Sequence, residues 1–298
     1  MLMNDFSTLS YIDQTDHEIL MHRDVHFSGS FVFMLDYYQK QGKGIQAEFD
    51  IDRIKFLKNL EDQSHKNLSL LVLDDEEKSQ IHKAKDKYLA LRDIYESGTA
   101  ALPKLFADLI LSEDLEATQE IKALCQYGHE ATPLLIQLIQ DDEFYDPLFP
   151  GYGLAPEHAA TCLGKLKESK AIIALFEALG KSDTFMEDAL LEALRNIGSD
   201  AQVFLMNILQ KKPFTKDNEN AAIALLHFLP STPISQVFLK TLKDMNLKKN
   251  PNFLFYLLIG CDDLISQDDR DTFIQIAKNL PSKELMQEAS KIIKKWET

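Results

Sequence analysis

The chain has 298 residues, of which 45% are hydrophobic and 27% are charged, and its 32 Lys+Arg against 47 Asp+Glu give a formal net charge of -15. This length and apolar content allow a large buried core and exclude an intrinsically disordered chain. The acidic excess argues against a protein that tracks nucleic-acid phosphates, because such a protein needs clustered positive charge. It is compatible with a protein partner that has a basic surface.

The cysteines and the hydropathy pattern exclude further classes. Cys125, Cys162 and Cys261 fall in or next to apolar helical segments, where we expect reduced, packed thiols rather than a disulfide framework or a zinc site. No stretch approaches roughly 18 uncharged apolar residues, so we predict no membrane-spanning helix. Residues 1–18 lack a basic region followed by an apolar run, the pattern of a secretory signal, and we expect a cytoplasmic protein.

Residues 1–80 have no internal repeat, and we predict that they form an N-terminal helical lobe. The segment 31–38, FVFMLDYY, suits either a strand or a buried helix, and we favour a helix because its neighbours have helical periods. Apolar residues in 51–60 recur at three-residue steps, as in an amphipathic helix. We also expect a helix at 17–27, a turn at 41–44, a short apolar segment at 67–73 and a long helix at 78–95.

Residues 81–298 repeat. Equivalent leucines recur at steps of 31 to 33 residues within two runs, and the runs are separated by a longer step of 39 residues. A fixed period of this size predicts a solenoid, in which each helix pair buries its apolar face against its neighbours. The equivalent leucines are Leu91, Leu124, Leu163, Leu194, Leu226 and Leu258. We predict helix pairs at 99–113 with 115–127, 131–140 with 156–168, 170–180 with 185–197, 201–210 with 217–229, 233–245 with 251–260, and 268–279 with 283–296, the last helix being an amphipathic cap.

The repeat pattern, A-x-x-L-G-x-[LI] followed by a second apolar helix, resembles HEAT repeats, particularly the short bacterial kind. The resemblance covers about residues 83–298 and implies an all-α solenoid, a fold that serves mostly as a protein-binding scaffold and in a few members as an enzyme. The residues that carry it are Ala160, Leu163, Gly164 and Leu166; Ala193, Leu194, Ile197 and Gly198; and Ala131, Pro133, Leu134 and Leu135.

One repeat contains an irregular insert, residues 141–156, with the sequence DDEFYDPLFPGYGLAP. Long loops on one face of a solenoid often form its binding surface, and aromatic side chains are frequent anchors of interfaces. We therefore predict partner contacts by the insert. The alternative is that its aromatic side chains fold back onto the core. The candidate partner-binding residues are Phe144, Tyr145, Phe149 and Tyr152.

The densest polar cluster lies at residues 13–26. It contains His17, His22 and His26, and the last two share a helical face at a spacing that can hold a divalent metal. The alternative is a polar surface or a buried, hydrogen-bonded network that anchors the N-terminal lobe. His22-Arg23-Asp24 matches the HRD of a kinase catalytic loop, but the other kinase motifs are absent from the sequence.

Two enzyme types that occur on HEAT-like folds receive little support. Deoxyhypusine hydroxylase-like enzymes bind two irons through repeated His-Glu pairs, and this chain has only His17-Glu18, His129-Glu130 and a reversed Glu157-His158, out of phase with the repeats. DNA-base excision needs a basic concave face, which the acidic balance disfavours.

The leading hypothesis is a non-enzymatic scaffold or adaptor that binds a basic protein without a cofactor. One specific version is an inhibitor or immunity-type protein that neutralises a basic toxin. The alternative is a metal-dependent enzyme or a metal-binding protein that uses the N-terminal histidines.

Overall fold

The structure, a computed structural model, describes residues 12–40, 47–97, 101–181, 184–245 and 250–297. In these ranges the regular secondary structure consists of α-helices and 3-10 helices, and no strand is present. The predicted all-α class is therefore confirmed for the described residues. The predicted turn at 41–44 lies outside the described residues. The helices are α1 (Gln14–His26), α2 (Phe31–Lys40), α3 (Ile51–Ser64), α4 (Leu68–Val72), α5 (Asp75–Glu96), α6 (Ala101–Leu111), α7 (Thr118–Cys125), α8 (Thr132–Gln140), α9 (Ala155–Leu166), α10 (Ile172–Leu179), α11 (Thr184–Ile197), α12 (Ser199–Gln210), α13 (Lys216–Leu226), α14 (Thr232–Asp244), α15 (Pro251–Ile259), α16 (Gln267–Ala277) and α17 (Lys283–Trp296), with short 3-10 helices at Gly128–Glu130, Asp142–Tyr145 and Ser169–Ala171.

The chain divides into two compact units at a different place from the predicted boundary at residue 80. Unit 1 contains the residues up to Tyr127 together with Asp141–His158, and unit 2 contains Gly128–Gln140 together with the chain from Ala159 onward. Residue 80 lies inside α5, a continuous helix of 22 residues that packs on both α1 and α6. The whole of α5 belongs to unit 1, so the first division between the units falls later, after Tyr127.

The core of unit 1 is built on α1 to α5. A capping box formed by Asp13 and Asp16 starts α1, and a left-handed Gly29 (φ 73°) follows its end. The segment 31–38 is a helix, as we predicted. Its buried residues, Phe31, Met34 and Tyr38, recur at steps of three and four, whereas a strand would bury alternate residues.

The helices of unit 2 pack both on consecutive helices and at steps of two along the chain. In one series α11 packs on α13, α13 on α15, and α15 on α17. In another, α12 packs on α14 and α14 on α16, while α8 packs on α10. Most consecutive helices also contact each other. Several helices of unit 2 therefore contact both a neighbour in the chain and the helix two positions further along.

Side-chain hydrogen bonds in unit 2 follow the period of the sequence. Seven of them join residues that are 31 to 34 positions apart. The long step of 39 residues recurs in the bond between His129 and Glu168. The seven pairs are Ser169–Asp200, Lys212–Asp244, Ser231–Asp263, Gln236–Asp269, Asn250–Glu219, Lys295–Asp262 and Trp296–Asp262.

The equivalent leucines of unit 2 are core residues. Leu163, Leu194 and Leu258 are fully buried, whereas Leu226, the last residue of α13, is half-buried. Between repeats the backbones approach closely, because a Cβ atom added to Gly164 would lie 2.7 Å from the Cα atom of Ala193. This contact explains why the repeat pattern has a glycine and an alanine at these positions.

The final helix, α17, has the amphipathic pattern that we predicted for a cap. Leu285, Ala289 and Ile292 are buried, and Lys291 and Lys294 on the other face are exposed. Among all the described helices, none combines the length and the apolar character that crossing a membrane requires.

Candidate functional site

The clearest concave feature of unit 1 is a cleft of about 490 Å³ between α1, the start of α5 and residues 146–148. Among the described residues, five carboxylates line it and no lysine or arginine does. A concave site lined by one sign of charge focuses the electrostatic field and attracts ions of the opposite sign. We call it the acidic cleft. Its carboxylates are Glu18, Asp74, Glu76, Glu77 and Asp146.

The start of α5 positions three of these carboxylates. Asp74 and Glu77 form a capping box, in which each side chain accepts a hydrogen bond of 2.8 Å from the backbone N–H of the other. Glu77 also accepts a bond of 2.7 Å from Nδ1 of His17. In contrast, Glu18 and Glu76 are exposed, and neither makes an ion pair within the described chain. These two carboxylates are therefore available to a cationic ligand.

The rest of the cleft wall is partly apolar, and Gln14 and Gln80 contribute uncharged polar side chains to it. Met21, Ala47, Pro147 and Leu148 contribute to it, and the buried ring of His22 lies beside them. Such a surface can take the aliphatic stem of a lysine or arginine while its charged end meets the carboxylates. The arrangement of the described lining residues therefore matches the chemistry of a basic side chain.

The three predicted histidines have different environments. His17 pairs with Glu77, as described above. The rings of His22 and His26 share one face of α1, as we predicted, with centroids 5.2 Å apart, but they meet aromatic rings. His22 lies 5.1 Å from Phe49, and Nδ1 of His26 lies 3.2 Å from the hydroxyl group of Tyr88. Within the described residues no group of three or more His, Cys, Asp or Glu is arranged to hold a metal ion.

Burial has a large effect on His26. Burial, together with a smaller effect of the neighbouring His22, lowers the pKa of the ring from 6.5 to about 3, although the backbone of Pro147 acts in the opposite direction. His26 is therefore neutral at physiological pH. Burial also raises the pKa of the Tyr88 hydroxyl well above its usual range.

Arg23 explains the kinase-like triplet. Its side chain is fully buried, and it donates to Glu61 at 2.7 Å, to Asp24 at 2.8 Å and to Ser69 at 2.8 Å. Its guanidinium group also lies 4.5 Å from the centroid of the Phe31 ring. The side chain thus joins α1 to α2, α3 and α4. This geometry favours the alternative that we left open, a hydrogen-bonded network that anchors the N-terminal residues.

The insert folds back onto unit 1, and we call its residues 141–154 the strap. Phe149 lies in the core of unit 1 beside Leu148, and Phe144 is buried under Lys87, whose Nζ atom lies 4.7 Å from the centroid of its ring. The apolar side chains of the strap pack into the core of unit 1, a contact that the sequence alone does not show. Placed in this way, Phe144 and Phe149 present almost no surface to a partner, which corrects our expectation for these two residues.

The other two aromatic residues of the strap are half-buried. The ring of Tyr152 lies 4.8 Å from that of His26, and burial raises the pKa of the Tyr145 hydroxyl to about 12. Contact with a partner stays a prediction for these two tyrosines. Two ion pairs of Lys87, with Asp141 at 2.6 Å and with Glu143 at 3.0 Å, hold the start of the strap.

The remaining histidines of the His-Glu pairs contact residues that lie elsewhere in the sequence. His129 donates from Nδ1 to Glu168, and Nε2 of the buried His158 lies 3.3 Å from the carbonyl oxygen of Leu115. In these two contacts, neither histidine binds the glutamate that is adjacent to it in the sequence. The geometry thus gives no support to a di-iron site.

Sequence reasoning missed the acidic cleft. The run Asp74-Asp75-Glu76-Glu77 was visible, but it reads equally well as the ordinary acidic start of a helix. Only the packing of α1 beside it brings Glu18 to the same cavity. Comparisons with protein-family models, with curated proteins and with solved structures found no match to this chain.

Proposed function

We propose that this chain is a non-enzymatic protein-binding protein that holds a basic segment of its partner in the acidic cleft. The observation that carries the proposal is the set of five carboxylates in one concave site, which no lysine or arginine of the described residues lines. The apolar residues of the wall can pack against the aliphatic part of a lysine or arginine side chain, and the exposed carboxylates of Glu18 and Glu76 can pair with its charged end.

The proposal includes a HEAT-like solenoid for the helices of unit 2. Three observations support it: packing at steps of two helices, hydrogen bonds at 31 to 34 residues, and the close contact of Gly164 with Ala193. In a repeat array each unit contacts only its neighbours, which produces this kind of regular spacing. Such an array is a rigid scaffold, and the acidic cleft of unit 1 supplies the recognition.

The test is binding of a fluorescent lysine-rich peptide, with a glutamate-rich peptide of equal length as the negative control. Fluorescence anisotropy at low and high salt gives the affinities. We expect binding at low salt and weaker binding at high salt, because ions screen exposed charges. The variant Glu18→Gln/Glu76→Gln removes two exposed carboxylates of the cleft. We expect it to bind about tenfold more weakly, or about 0.7 kcal/mol for each carboxylate.

A matched control changes the net charge equally at a distant place in the sequence. Asp188→Asn/Glu192→Gln removes two carboxylates from α11, and Glu192 and Asp188 are both exposed. We expect its affinity for the peptide to equal that of the wild type. Equal losses in both double variants would mean that net charge alone drives the binding, and the cleft would then not be the site. Absence of binding at low salt would also reject the proposal.

A further inference from the structure

The strap closes over His26. The titratable groups that face the imidazole are His22 on the same helix, Tyr88 from α5 and Tyr152 from the strap, with ring centroids 5.2, 5.8 and 4.8 Å away. No carboxylate pairs with His26 anywhere in the described chain, and its buried Nε2 atom makes no hydrogen bond of normal geometry there. The backbone of Pro147 favours a proton on the ring, but burial and His22 outweigh this effect. A proton on this ring would therefore create a buried charge with almost no compensation.

The backbone of the strap is strained at the same point. Gly151, Tyr152 and Gly153 have φ values of 86°, 53° and 85°, three consecutive residues in the left-handed region. This region suits glycine but disfavours tyrosine, so contacts of the Tyr152 side chain must maintain the conformation. A Cβ atom on Gly151 would lie 2.3 Å from the carbonyl oxygen of Ile110, which shows how closely the strap is held.

We propose that the strap is a pH-sensitive element, and that a proton on His26 releases it from the core of unit 1. The release would withdraw Asp146, Pro147 and Leu148 from the wall of the acidic cleft. Binding of a basic partner would consequently weaken in acid. This consequence rests on the proposed function, but the release itself does not.

The direction and the size follow from linkage. Burial lowers the pKa of His26 from 6.5 to about 3, so the closed strap favours the neutral ring. The closed form is fully stabilised above the higher value, and it loses stability as the pH falls toward the lower one. If release restores the ordinary pKa, the ratio of open to closed strap rises about 30-fold between about pH 7.5 and about pH 5. His22, at 5.2 Å, would add repulsion if it were also protonated.

Hydrogen exchange with mass spectrometry on the full chain tests the proposal. The readout is the protection of backbone amides in the strap, corrected for the intrinsic effect of pH on exchange. Suitable probes are the N–H groups of Phe149, Tyr152 and Leu154, which donate to carbonyl groups within the strap. We expect the protection in the wild type to fall about 30-fold over this pH range.

The variant His26→Phe keeps a ring at this position and removes the proton. We expect its strap to be equally protected at both pH values, and the exposed His82→Phe to behave like the wild type. If circular dichroism shows that His26→Phe does not fold, His26→Gln replaces it, and the wild-type pH series remains a test without any variant.

Three results would overturn the proposal. The first is a strap whose protection in the wild type does not change with pH. The second is an equal loss of protection across all helices of unit 1, which would indicate acid unfolding of the whole unit. The third is a pH-dependent loss that persists in His26→Phe. Failure of the lysine-rich peptide to bind at either pH would reject the proposed function alone, because the exchange experiment contains no ligand.

Discussion

Nη1 of Arg23, a fully buried residue, donates to the carboxylate of Glu61 at 2.7 Å, and the same Glu61 oxygen accepts the backbone N–H of Leu68 at 2.8 Å. One carboxylate therefore satisfies both a buried guanidinium group and the start of α4. Charged groups in the interior are stable only when they are paired and fully hydrogen-bonded. Because the other donors of Arg23 also have partners, this pair connects α1, α3 and α4.

We expect Arg23→Met to lower the free energy of unfolding by about 3–5 kcal/mol, because it removes one member of a buried charge network and leaves the others unpaired. Urea denaturation followed by circular dichroism measures the change. Lys40→Met is the control, since Lys40 pairs with Asp36 at the surface and both side chains are exposed. We expect less than about 0.5 kcal/mol for this control. An equally small effect of Arg23→Met would show that the network does not hold the helices.

Gly164→Ala tests the close packing of α9 and α11. The added methyl group would lie 2.7 Å from Cα and 3.1 Å from Cβ of Ala193, so the two helices must separate. We expect a loss of about 1–3 kcal/mol in unfolding free energy, as for other overpacked positions. Lys165→Ala, at an exposed position of the same helix, controls for helix propensity. A variant Gly164→Ala that is more stable than the wild type would contradict the close contact, because alanine is otherwise favoured in helices.

Glu168→Ala tests the connection across the longest repeat. The Glu168 side chain is buried, and it accepts hydrogen bonds from His129 at 2.5 Å, from Thr132 at 3.0 Å and from the N–H of Lys170 at 3.3 Å. We expect the truncation to cost about 1–3 kcal/mol, since it leaves donors unsatisfied. Denaturation by urea at neutral pH measures it.

The same bonds lower the pKa of the Glu168 carboxyl group against the opposing effect of its burial. The ionised carboxylate of Glu168 therefore contributes to stability at pH values above 4.5, the ordinary pKa of glutamate. This contribution is lost as the pH falls below 4.5. A destabilisation by Glu168→Ala that is as large in strong acid as at neutral pH would contradict the role of the ionised carboxylate.

His158→Gln tests a second source of acid sensitivity in unit 1. Burial lowers the pKa of His158 below its ordinary value of 6.5, despite the carbonyl groups of Leu115 and Leu109. The unfolded chain then binds more protons, so stability is complete above that value and decreases as the pH falls below it. We expect the variant to flatten this decrease by at most about 1.4 kcal/mol per pH unit.

Urea denaturation at a series of pH values measures the slope. The control is His227→Gln, because His227 is exposed. We expect the slope of this control to match that of the wild type. A slope in His158→Gln that also equals the wild-type slope would mean that His158 does not take up a proton on unfolding in this range.

Much of the local structure could be predicted because it depends on residues close together in the sequence. The amphipathic period of residues 51–60 predicts α3, and Ile54 and Leu57 on its apolar face are fully buried. The leucine steps predicted positions of unit 2 that enter the core, namely Leu163, Leu194 and Leu258, although Leu226 is only half-buried. Similar steps reappear as the separations of hydrogen-bonded pairs in unit 2, as the proposed repeat array would require.

The boundary between the units and the destination of the strap could not be predicted in this way. Local patterns do not show that Leu148 and Phe149 complete a core made by residues far earlier in the chain. Local patterns also left two possibilities for the aromatic side chains of the insert. The same residues could be exposed anchors for a partner or rings buried in the core, and their sequence does not distinguish the two.

The sequence by itself determined the helices, their order and the period of the repeats, because helix formation and amphipathic burial follow from the spacing of neighbouring residues. Only the tertiary structure decided which polar side chains meet. His17 joins Glu77 across 60 positions of the chain, and His26 packs against Tyr152, which lies far later in the sequence. Such contacts depend on how whole surfaces pack, so the acidic cleft and the strap over His26 exist only in the folded chain.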